Sequence, residues 1–230
     1  MGLNVNFESN GRRGDGYMCA PADGKGPAVV VIQEWWGLVD HIENVVEQFA
    51  ASGFLAMAPD LYHGQQAKSP DDAKKLMMEL EIDRAVAEIE AAGRYLLDLP
   101  ECTSSAYGVV GFCMGGALAQ MVSTRDTNVG AAVSFYGGLR RARPDWDNLS
   151  APILLIYGET DLSVRASDGI ELQKRLRAAG KDVEVAIYEN AGHAFFNDAR
   201  PEAYVEKAAL DAYQRVIALF RENLRGAEVG

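Results

Sequence analysis

Short apolar runs alternate with longer amphipathic segments along most of the chain. Residues 28–32 are a continuous apolar run of strand length, typical of a strand buried on both faces of a sheet. Residues 40–52 instead carry apolar side chains at helical spacing, and Gly53 suits the end of that helix. The same alternation predicts strands at 54–58, 109–112, 130–136, 152–157 and 183–188, and helices at 69–80, 83–97, 161–179 and 201–223. This pattern predicts an α/β fold, a mostly parallel, doubly wound sheet with helices on both faces.

The two ends of the chain differ from this pattern. Residues 3–20 alternate weakly and contain three glycines, which predicts a short antiparallel hairpin at a sheet edge. The tail after Leu224 is expected to be frayed. No linker, repeat or change of composition divides the chain, so we expect a single domain over residues 1–230.

The net charge and the cysteine content limit the kinds of partner and the cellular location that we expect. The net charge of −11, from 22 basic and 33 acidic residues, argues against nucleic acid and anionic membranes as partners. No apolar run is long enough to span a bilayer, and no signal peptide is evident. Three cysteines without metal-ligand spacing predict a reducing, cytoplasmic location and support neither a disulfide nor a metal protein. The expected partner is a small molecule, with the protein a monomer or a small homo-oligomer.

The run at 109–112 enters a tight Gly-rich turn and leaves it as a helix rich in Ala and Leu. Strand, turn and helix in this order are the context of a nucleophile elbow. Side chains two positions before and after the nucleophile would collide in such a turn, and Gly111 and Gly115 remove them. Cys113 stands at the nucleophile position, where a helix N-terminus favours a thiolate. The alternative is a structural cysteine beside a Gly-rich turn.

Cys113, Asp161 and His193 each follow a different predicted strand. Their order of nucleophile, acid and base is that of the α/β-hydrolases. Because a thiol is mostly protonated at neutral pH, it needs an adjacent base, and His193 is the candidate. Of the three histidines, His41 and His63 precede the elbow, so only His193 follows Asp161. Asp161 is predicted to fix the imidazole tautomer, although alone it also fits the N-cap of the next helix.

Further polar and aromatic groups gather near the predicted strand ends. The backbone N–H groups of Trp35 and Met114 are the expected oxyanion hole. Glu34 is a carboxylate at the mouth of the predicted pocket or, alternatively, a solvated loop residue. Aromatic side chains are predicted to line the substrate pocket, although such residues are more often core; they are Trp36, Tyr62, Tyr136, Phe195 and Phe196.

These motifs resemble those of the dienelactone hydrolases, or carboxymethylenebutenolidases, within the α/β-hydrolase superfamily. The resemblance covers nearly the whole chain in order and rests on residues 33–37, 59–62, 111–116, 136–137, 157–161 and 192–195. It implies an α/β-hydrolase fold and a carboxylic ester hydrolase that opens a lactone or ester through a Cys113 acyl-enzyme, with no cofactor or metal. It also implies that Glu34 meets the resting thiol, and that substrate displaces Glu34 so that His193 and Cys113 form the reactive ion pair.

The chain departs from the family where the substrate is gripped. The resemblance implies arginines on the helix after Tyr62 and just beyond His193 that bind a substrate carboxylate. Aligned by eye, those regions hold Pro70, Lys74, Met77 and Asn197. Candidate substitutes are Lys74, Lys75 and Arg200, although lysine lacks the bidentate fork that suits a carboxylate. A neutral or aryl ester, or a different lactone, is therefore open as substrate.

Two other functions compete with this one. The missing arginines favour a general carboxylesterase or thioesterase without dienelactone activity. The second alternative belongs to a different functional class: a non-catalytic binding or redox-sensing module in which Cys113 is a regulated thiol. The intact set of candidate residues argues against the second alternative.

Overall fold

One mixed sheet of eight strands forms the centre of the protein in a computed structural model that describes residues 2–224 and 226. The strands are β1 (Leu3–Ser9), β2 (Arg12–Cys19), β3 (Ala28–Ile32), β4 (Leu55–Pro59), β5 (Tyr107–Phe112), β6 (Val129–Phe135), β7 (Ile153–Gly158) and β8 (Val183–Tyr188). Their spatial order is β1-β2-β4-β3-β5-β6-β7-β8. The predicted frayed tail, Gly226 apart, lies outside the described residues.

The first two strands form the predicted hairpin at the sheet edge. Leu3 pairs with Met18 and Ser9 with Arg12, so β1 and β2 are antiparallel. Asn10 and Gly11 connect them with φ of 50° and 74°. Two consecutive positive φ angles define the hairpin turn that Asn-Gly adopts most readily, because its twist matches that of the strands. The hairpin joins the sheet through antiparallel pairing of β2 with β4.

The remaining strands run parallel and are connected by helices that cover both faces of the sheet. The helices are α1 (Asp40–Ala51), α2 (Pro70–Glu79), α3 (Ile82–Asp98), α4 (Met114–Ser123), α5 (Ala166–Ala178) and α6 (Glu206–Asn223), with a short 3₁₀ turn at Trp146–Asn148. Alternate residues of β3 serve opposite cores. Val30 and Ile32 belong to the core under α3 and α4, whereas Val29 and Val31 belong to the core under α1 and α6. Burial on both faces explains why β3 is apolar throughout.

Local signals account for several helix boundaries. The Ser69 hydroxyl accepts a hydrogen bond from the Asp72 N–H (3.2 Å), and Pro70 opens α2, as predicted. The last helix begins at Glu206, five residues later than predicted. The chain before it forms a turn, and the Val205 N–H donates to the Phe195 carbonyl (3.0 Å), which holds Val205 outside the helix. Within residues 2–224, no helix is long and apolar enough to cross a membrane.

The core under α1 and α6 is built largely from aromatic rings. Phe220 of α6 is fully buried, with its ring centroid 6.0 Å from that of Phe49 and 6.2 Å from that of Phe54. Leu210, on the same helix, is 58% exposed. Alanine substitutions at these two positions of one helix therefore distinguish the effect of burial in this core from the effect of helix propensity.

We expect Phe220→Ala to lower the free energy of unfolding by about 3–5 kcal/mol, because it removes a fully packed ring and leaves a cavity. Leu210→Ala on the same helix should change it by less than about 1 kcal/mol. Urea denaturation followed by circular dichroism measures both. Equal losses in the two variants would contradict the assignment of this core.

Candidate active site

Cys113 lies in a sharp turn between β5 and α4, at the carboxyl end of the parallel strands. Its backbone has φ 53° and ψ −114°, a combination that non-glycine residues adopt only when the surroundings enforce it. The Cys113 N–H donates to the Phe135 carbonyl (3.0 Å), and the Cys113 carbonyl accepts from the N–H groups of Ala117 and Gly138 (each 3.3 Å). These bonds fix the turn to the end of β6 and project the thiol beyond the carboxyl ends of the parallel strands.

Glycines allow the backbones to approach closely around this turn. A Cβ on Gly111 would clash with the carbonyl of Gly115, and a Cβ on Gly115 would clash with the carbonyls of Gln33 and Ile32. The turn therefore packs directly against the end of β3, which brings the Gln33–Glu34–Trp35 segment beside the thiol. The prediction that side chains at positions 111 and 115 would collide in this turn is therefore confirmed.

His193 and Asp161 form a close hydrogen-bonded pair at the ends of β8 and β7. His193 Nδ1 lies 2.7 Å from Asp161 Oδ2, and the Asp161 side chain is fully buried. Asp161 Oδ1 accepts from the N–H groups of Ser163 (2.7 Å) and Val164 (3.0 Å). The carboxylate closes its own loop and does not cap α5, whose N-cap residue is Arg165. The N-cap alternative for Asp161 is therefore excluded.

The loops that carry Asp161 and His193 are joined by hydrogen bonds. The Ala191 carbonyl accepts from both the N–H and the hydroxyl of Thr160 (each 2.9 Å). A Cβ on Gly158 would clash with the same carbonyl, so glycine is required for this approach. The Glu159 carboxylate also accepts from the Asn190 N–H (3.1 Å). The loops of Asp161 and His193 are thus held as one unit.

The surroundings stabilise the charged forms of both groups. Burial opposes ionisation of Asp161, but its hydrogen bond and charge interaction with His193 and the two loop N–H groups hold its pKa below the ordinary value. Burial likewise opposes protonation of His193, yet the hydrogen bond to Asp161 and the interactions with Cys113 raise its pKa to about 10. Since Nδ1 faces Asp161, the interaction with Cys113 leaves Nε2 as the nitrogen on the thiol side. The three residues predicted from the sequence therefore come together.

Two backbone N–H groups beside Cys113 have no acceptor. Within the described chain, neither the Trp35 N–H nor the Met114 N–H donates a hydrogen bond. Met114 is the first residue of α4, so its N–H has no partner inside the helix. Trp35 borders the same cavity as Cys113. Both predicted oxyanion-hole donors are thus free.

Glu34 is buried, and its side chain has partners other than the Cys113 thiol. Its Oε2 accepts from Asn197 Nδ2 (2.8 Å), and its Oε1 lies 3.5 Å from the hydroxyl of Tyr136. Burial, and then the charges of Glu34 and Cys113, raise the Tyr136 pKa well above its ordinary value, so Tyr136 keeps its proton and donates. Residues 2–224 contain no hydrogen bond between Glu34 and Cys113. Glu34 is buried, which excludes the alternative of a solvated loop residue.

A cavity of about 510 Å³ opens beside Cys113 and His193. It is bordered by different residues from the five aromatic ones expected. Four of the five, Tyr62, Tyr136, Phe195 and Phe196, are buried behind the cavity wall, where Tyr136 packs against the His193 ring (centroids 5.0 Å apart). The fifth, Trp36, is half-buried and packs edge-on against Trp35. The cavity wall instead combines apolar and cationic side chains: Trp35, Met77, Leu139, Val164, Arg140, Arg141 and Arg200. Gly138 and Ser163 also border the cavity.

Of the three candidate substitutes for the family's arginines, Arg200 borders the cavity, whereas Lys74 and Lys75 do not. Arg140 and Arg141 were not anticipated, although they follow a predicted strand by a few residues, where ligands of α/β sheets bind. The part of the chain described here contains no group of three His, Cys, Asp or Glu side chains able to hold a metal ion.

The strand order, the crossover helices and the elbow define the α/β-hydrolase fold. The model of the Dienelactone hydrolase family matches residues 15–224. The chain is 37% identical over 231 residues to Protein usf of Aquifex pyrophilus, covering 97% of this chain and 100% of that protein. The chain belongs to the dienelactone hydrolase family.

Solved structures agree with this assignment. The structure titled m3DLH matches with a TM-score of 0.86 and 26% identity, covering 97% of this chain and 98% of that one. A dienelactone hydrolase-like promiscuous phosphotriesterase from metagenomic libraries matches with a TM-score of 0.85 and covers 97% of this chain and 98% of its own. At 23% identity, that second likeness concerns the fold.

The raised pKa of His193 can be tested directly, because the chain has three histidines. We expect Cys113→Ala to lower the His193 pKa from about 10, since the contribution of the sulfur is lost. In the wild type, protonation of His193 stabilises the fold fully below the ordinary pKa of 6.5, and this contribution is lost as the pH rises through about 10.

NMR titration of the histidine rings measures the first effect, and urea denaturation across the same pH range measures the second. The rings of His41 and His63 serve as internal references, because neither side chain hydrogen-bonds to Cys113 or Asp161. A His193 pKa that is the same in both proteins would contradict the interaction with Cys113.

Proposed function

We propose that the protein hydrolyses a small lactone or ester through an acyl-enzyme on Cys113, with Asp161 and His193 completing a catalytic triad. The observation that carries the proposal is the elbow. Cys113 holds an enforced positive φ at the carboxyl end of β5 and interacts with a His193 whose other ring nitrogen is fixed by a buried carboxylate. An enforced backbone conformation at an exposed strand end is a mark of function.

Acylation begins with the charge state of His193. Once the Cys113 thiol has given its proton to His193, the raised His193 pKa of about 10 keeps the imidazole protonated at neutral pH, paired with the thiolate. The thiolate attacks the carbonyl carbon, and the carbonyl electrons move to oxygen. The free N–H groups of Trp35 and Met114 stabilise that oxyanion. As the carbon–oxygen bond breaks, His193 donates its proton to the leaving oxygen, which becomes an alcohol.

Deacylation reverses these roles. His193, now neutral, takes a proton from water while the water oxygen attacks the thioester carbonyl. The same two N–H groups stabilise the second oxyanion. Collapse releases a carboxylic acid and restores the thiolate and the imidazolium. Asp161 keeps Nδ1 of His193 occupied throughout, so that Nε2 alone exchanges protons. For a lactone, the acid and the alcohol are two ends of one product.

Glu34 is proposed to gate the nucleophile. Its carboxylate is buried beside the elbow and held by Asn197 and Tyr136. In the proposed cycle it alternates between these partners and the resting thiol, and substrate displaces it from the thiol. A guarded thiol is also less exposed to oxidation. The family arginine expected beyond His193 is replaced here by Asn197, so a neutral amide holds Glu34.

The apolar wall of the cavity favours one alternative, a general carboxylesterase or thioesterase. Trp35, Met77, Leu139 and Val164 suit an aryl or alkyl group of a neutral ester. The choice between these two activities is a matter of relative rates on two substrates. A cytoplasmic location stays a prediction from the sequence.

We expect Cys113→Ala to lower hydrolysis of the preferred substrate by about a thousandfold or more, the scale of a lost nucleophile. The assay compares a dienelactone with a small neutral aryl ester. Cys102→Ala is the matched control, because Cys102 is also a partly exposed free thiol but lies away from the elbow. Its activity should match that of the wild type.

The ratio between the two substrates decides between a dienelactone hydrolase and a general esterase. Retention of wild-type activity in Cys113→Ala would overturn the proposed nucleophile. Absence of hydrolysis in the wild type, for either substrate, would favour the thiol-sensing alternative for this chain.

We expect Glu34→Gln to slow acylation about tenfold or more in a single-turnover experiment, because a neutral amide does not accept a hydrogen bond from the resting thiol and release it on substrate binding as a carboxylate does. Glu171→Gln, on exposed α5, controls for the loss of one negative charge. An unchanged rate of acylation in Glu34→Gln, with Cys113 still required for turnover, would remove Glu34 from the mechanism.

A further inference from the structure

The connection from β3 to α1, residues 33–39, carries the Trp35 N–H, one of the two donors proposed for the oxyanion hole. This connection contains no helix or strand of its own. Its turn is closed by a long hydrogen bond, 3.4 Å from the Gly37 N–H to the Glu34 carbonyl. Backbone groups that are not paired within a segment are paired with its neighbours. The position of the Trp35 N–H therefore depends on what packs against this connection.

The neighbour is the loop of residues 60–67, which joins β4 to α2. The Ala67 N–H donates to the Trp36 carbonyl (2.9 Å). The Gln66 side chain donates from Nε2 to the Leu38 carbonyl. The 60–67 loop thus supplies one backbone donor and one side-chain donor to the two carbonyls that lie on either side of the turn.

Two further contacts bring the loop and the connection together. Gly37 has a φ of 97°, and a Cβ at this position would approach the Gln65 carbonyl to 2.8 Å. Gln33, two residues before Trp35, is fully buried, and its Oε1 accepts from the Leu61 N–H (3.1 Å). The connection is therefore held by the loop before, at and after the residue that carries the free N–H.

The 60–67 loop also contacts Met114, the residue that carries the other proposed donor. The Tyr62 hydroxyl donates to the Met114 sulfur (3.4 Å), and both side chains are buried. Burial, and then the charge of Cys113, raise the Tyr62 pKa well above its ordinary value, so the hydroxyl keeps its proton. One loop thus reaches the segments of both donors, which come from different parts of the chain.

The loop is itself held in one conformation. The Asp60 carboxylate accepts from the N–H groups of Tyr62 (3.1 Å) and Gly64 (2.5 Å), a turn that aspartate forms with its own backbone. The Asp60 N–H donates to the Asp15 carbonyl on β2 (2.8 Å). A loop closed on its own carboxylate and attached to the sheet is a rigid support for the connection beside it.

We propose that the 60–67 loop positions the oxyanion hole, with Gln66 and Tyr62 as positioning residues that act through Trp35 and Met114. This inference rests on the proposed hydrolase function. Neither positioning residue borders the cavity, so neither touches the substrate. An oxyanion-hole donor contributes about a hundredfold to a thousandfold in rate when it is aimed at the developing charge. A donor that is displaced loses part of this contribution.

The test uses two reactions of Cys113 that differ in whether an oxyanion forms. With phenyl trifluoromethyl ketone, the thiolate sulfur bonds to the carbonyl carbon, the carbonyl electrons move to oxygen, and no group leaves. With iodoacetamide, the sulfur bonds to the methylene carbon, iodide leaves, and no charge develops on oxygen. Fluorine NMR gives the Kd of the ketone adduct, and mass spectrometry gives the rate of alkylation at Cys113.

We expect Gln66→Leu to raise the Kd of the ketone adduct about tenfold and to leave the alkylation rate unchanged. The kcat for the preferred ester should fall by a similar factor at unchanged KM, because the oxyanion forms only after binding. Gln66→Lys, which keeps a donor of similar reach, should restore part of the adduct affinity. Tyr62→Phe should raise the Kd by a smaller factor, since sulfur is a weak acceptor.

Gln65→Leu is the matched control. Gln65 and Gln66 are adjacent exposed glutamines of the same loop, and within residues 2–224 the Gln65 side chain makes no hydrogen bond. Its variant should match the wild type in adduct Kd, alkylation rate and kcat.

Three results would overturn the proposal: an unchanged Kd in Gln66→Leu, an equal loss of alkylation in that variant, or a wild type that forms no ketone adduct at Cys113. The second of these would indicate a general disturbance of the site. If Gln66→Leu weakens the adduct selectively but the wild type hydrolyses no ester, the positioning of the oxyanion hole stands and the hydrolase proposal fails.

Discussion

The close approach of backbone to backbone at the elbow is the constraint on which the rest of the site depends. Gly111, Gly115 and the carbonyls at the end of β3 pack without side chains between them, and Cys113 takes a positive φ as a result. The cost of such a conformation is of the order of 1–3 kcal/mol, and the surrounding sheet must offset it. A rigid, fully buried β5 in the middle of the sheet supplies that support.

The elements with a local cause could be predicted from the sequence. The Asn10-Gly11 hairpin, the apolar β3 and the elbow each follow from a few adjacent residues and their steric limits. The proximity of Cys113, Asp161 and His193 could also be predicted, because each follows a parallel strand and the carboxyl ends of parallel strands lie at the same end of the sheet. The hydrogen bond between Asp161 and His193 agrees with that expectation.

The remaining features depend on contacts between segments far apart in the chain. Whether Phe195 faces a cavity or the core is decided by packing, and it packs against Tyr136 and Tyr188 in the core. In the sequence Asn197 stands out only as a position where an arginine is expected, yet in the fold it donates to Glu34, 163 residues away. Arg141 reaches α2 in the same way, 64 residues from its acceptor at Met77. No local sequence pattern indicates a contact between residues so far apart in the chain.

The position of His193 in the sheet has a consequence for the stability of the candidate site. Cys113 follows a central strand, whereas His193 follows β8, which forms one edge of the sheet. Edge elements open by local fluctuations that cost less than global unfolding. Opening of β8 alone would draw His193 away from a Cys113 that stays in place on the central strand. The candidate site would then come apart while most of the sheet persists, so an intact far-ultraviolet spectrum would not by itself report on the integrity of the site.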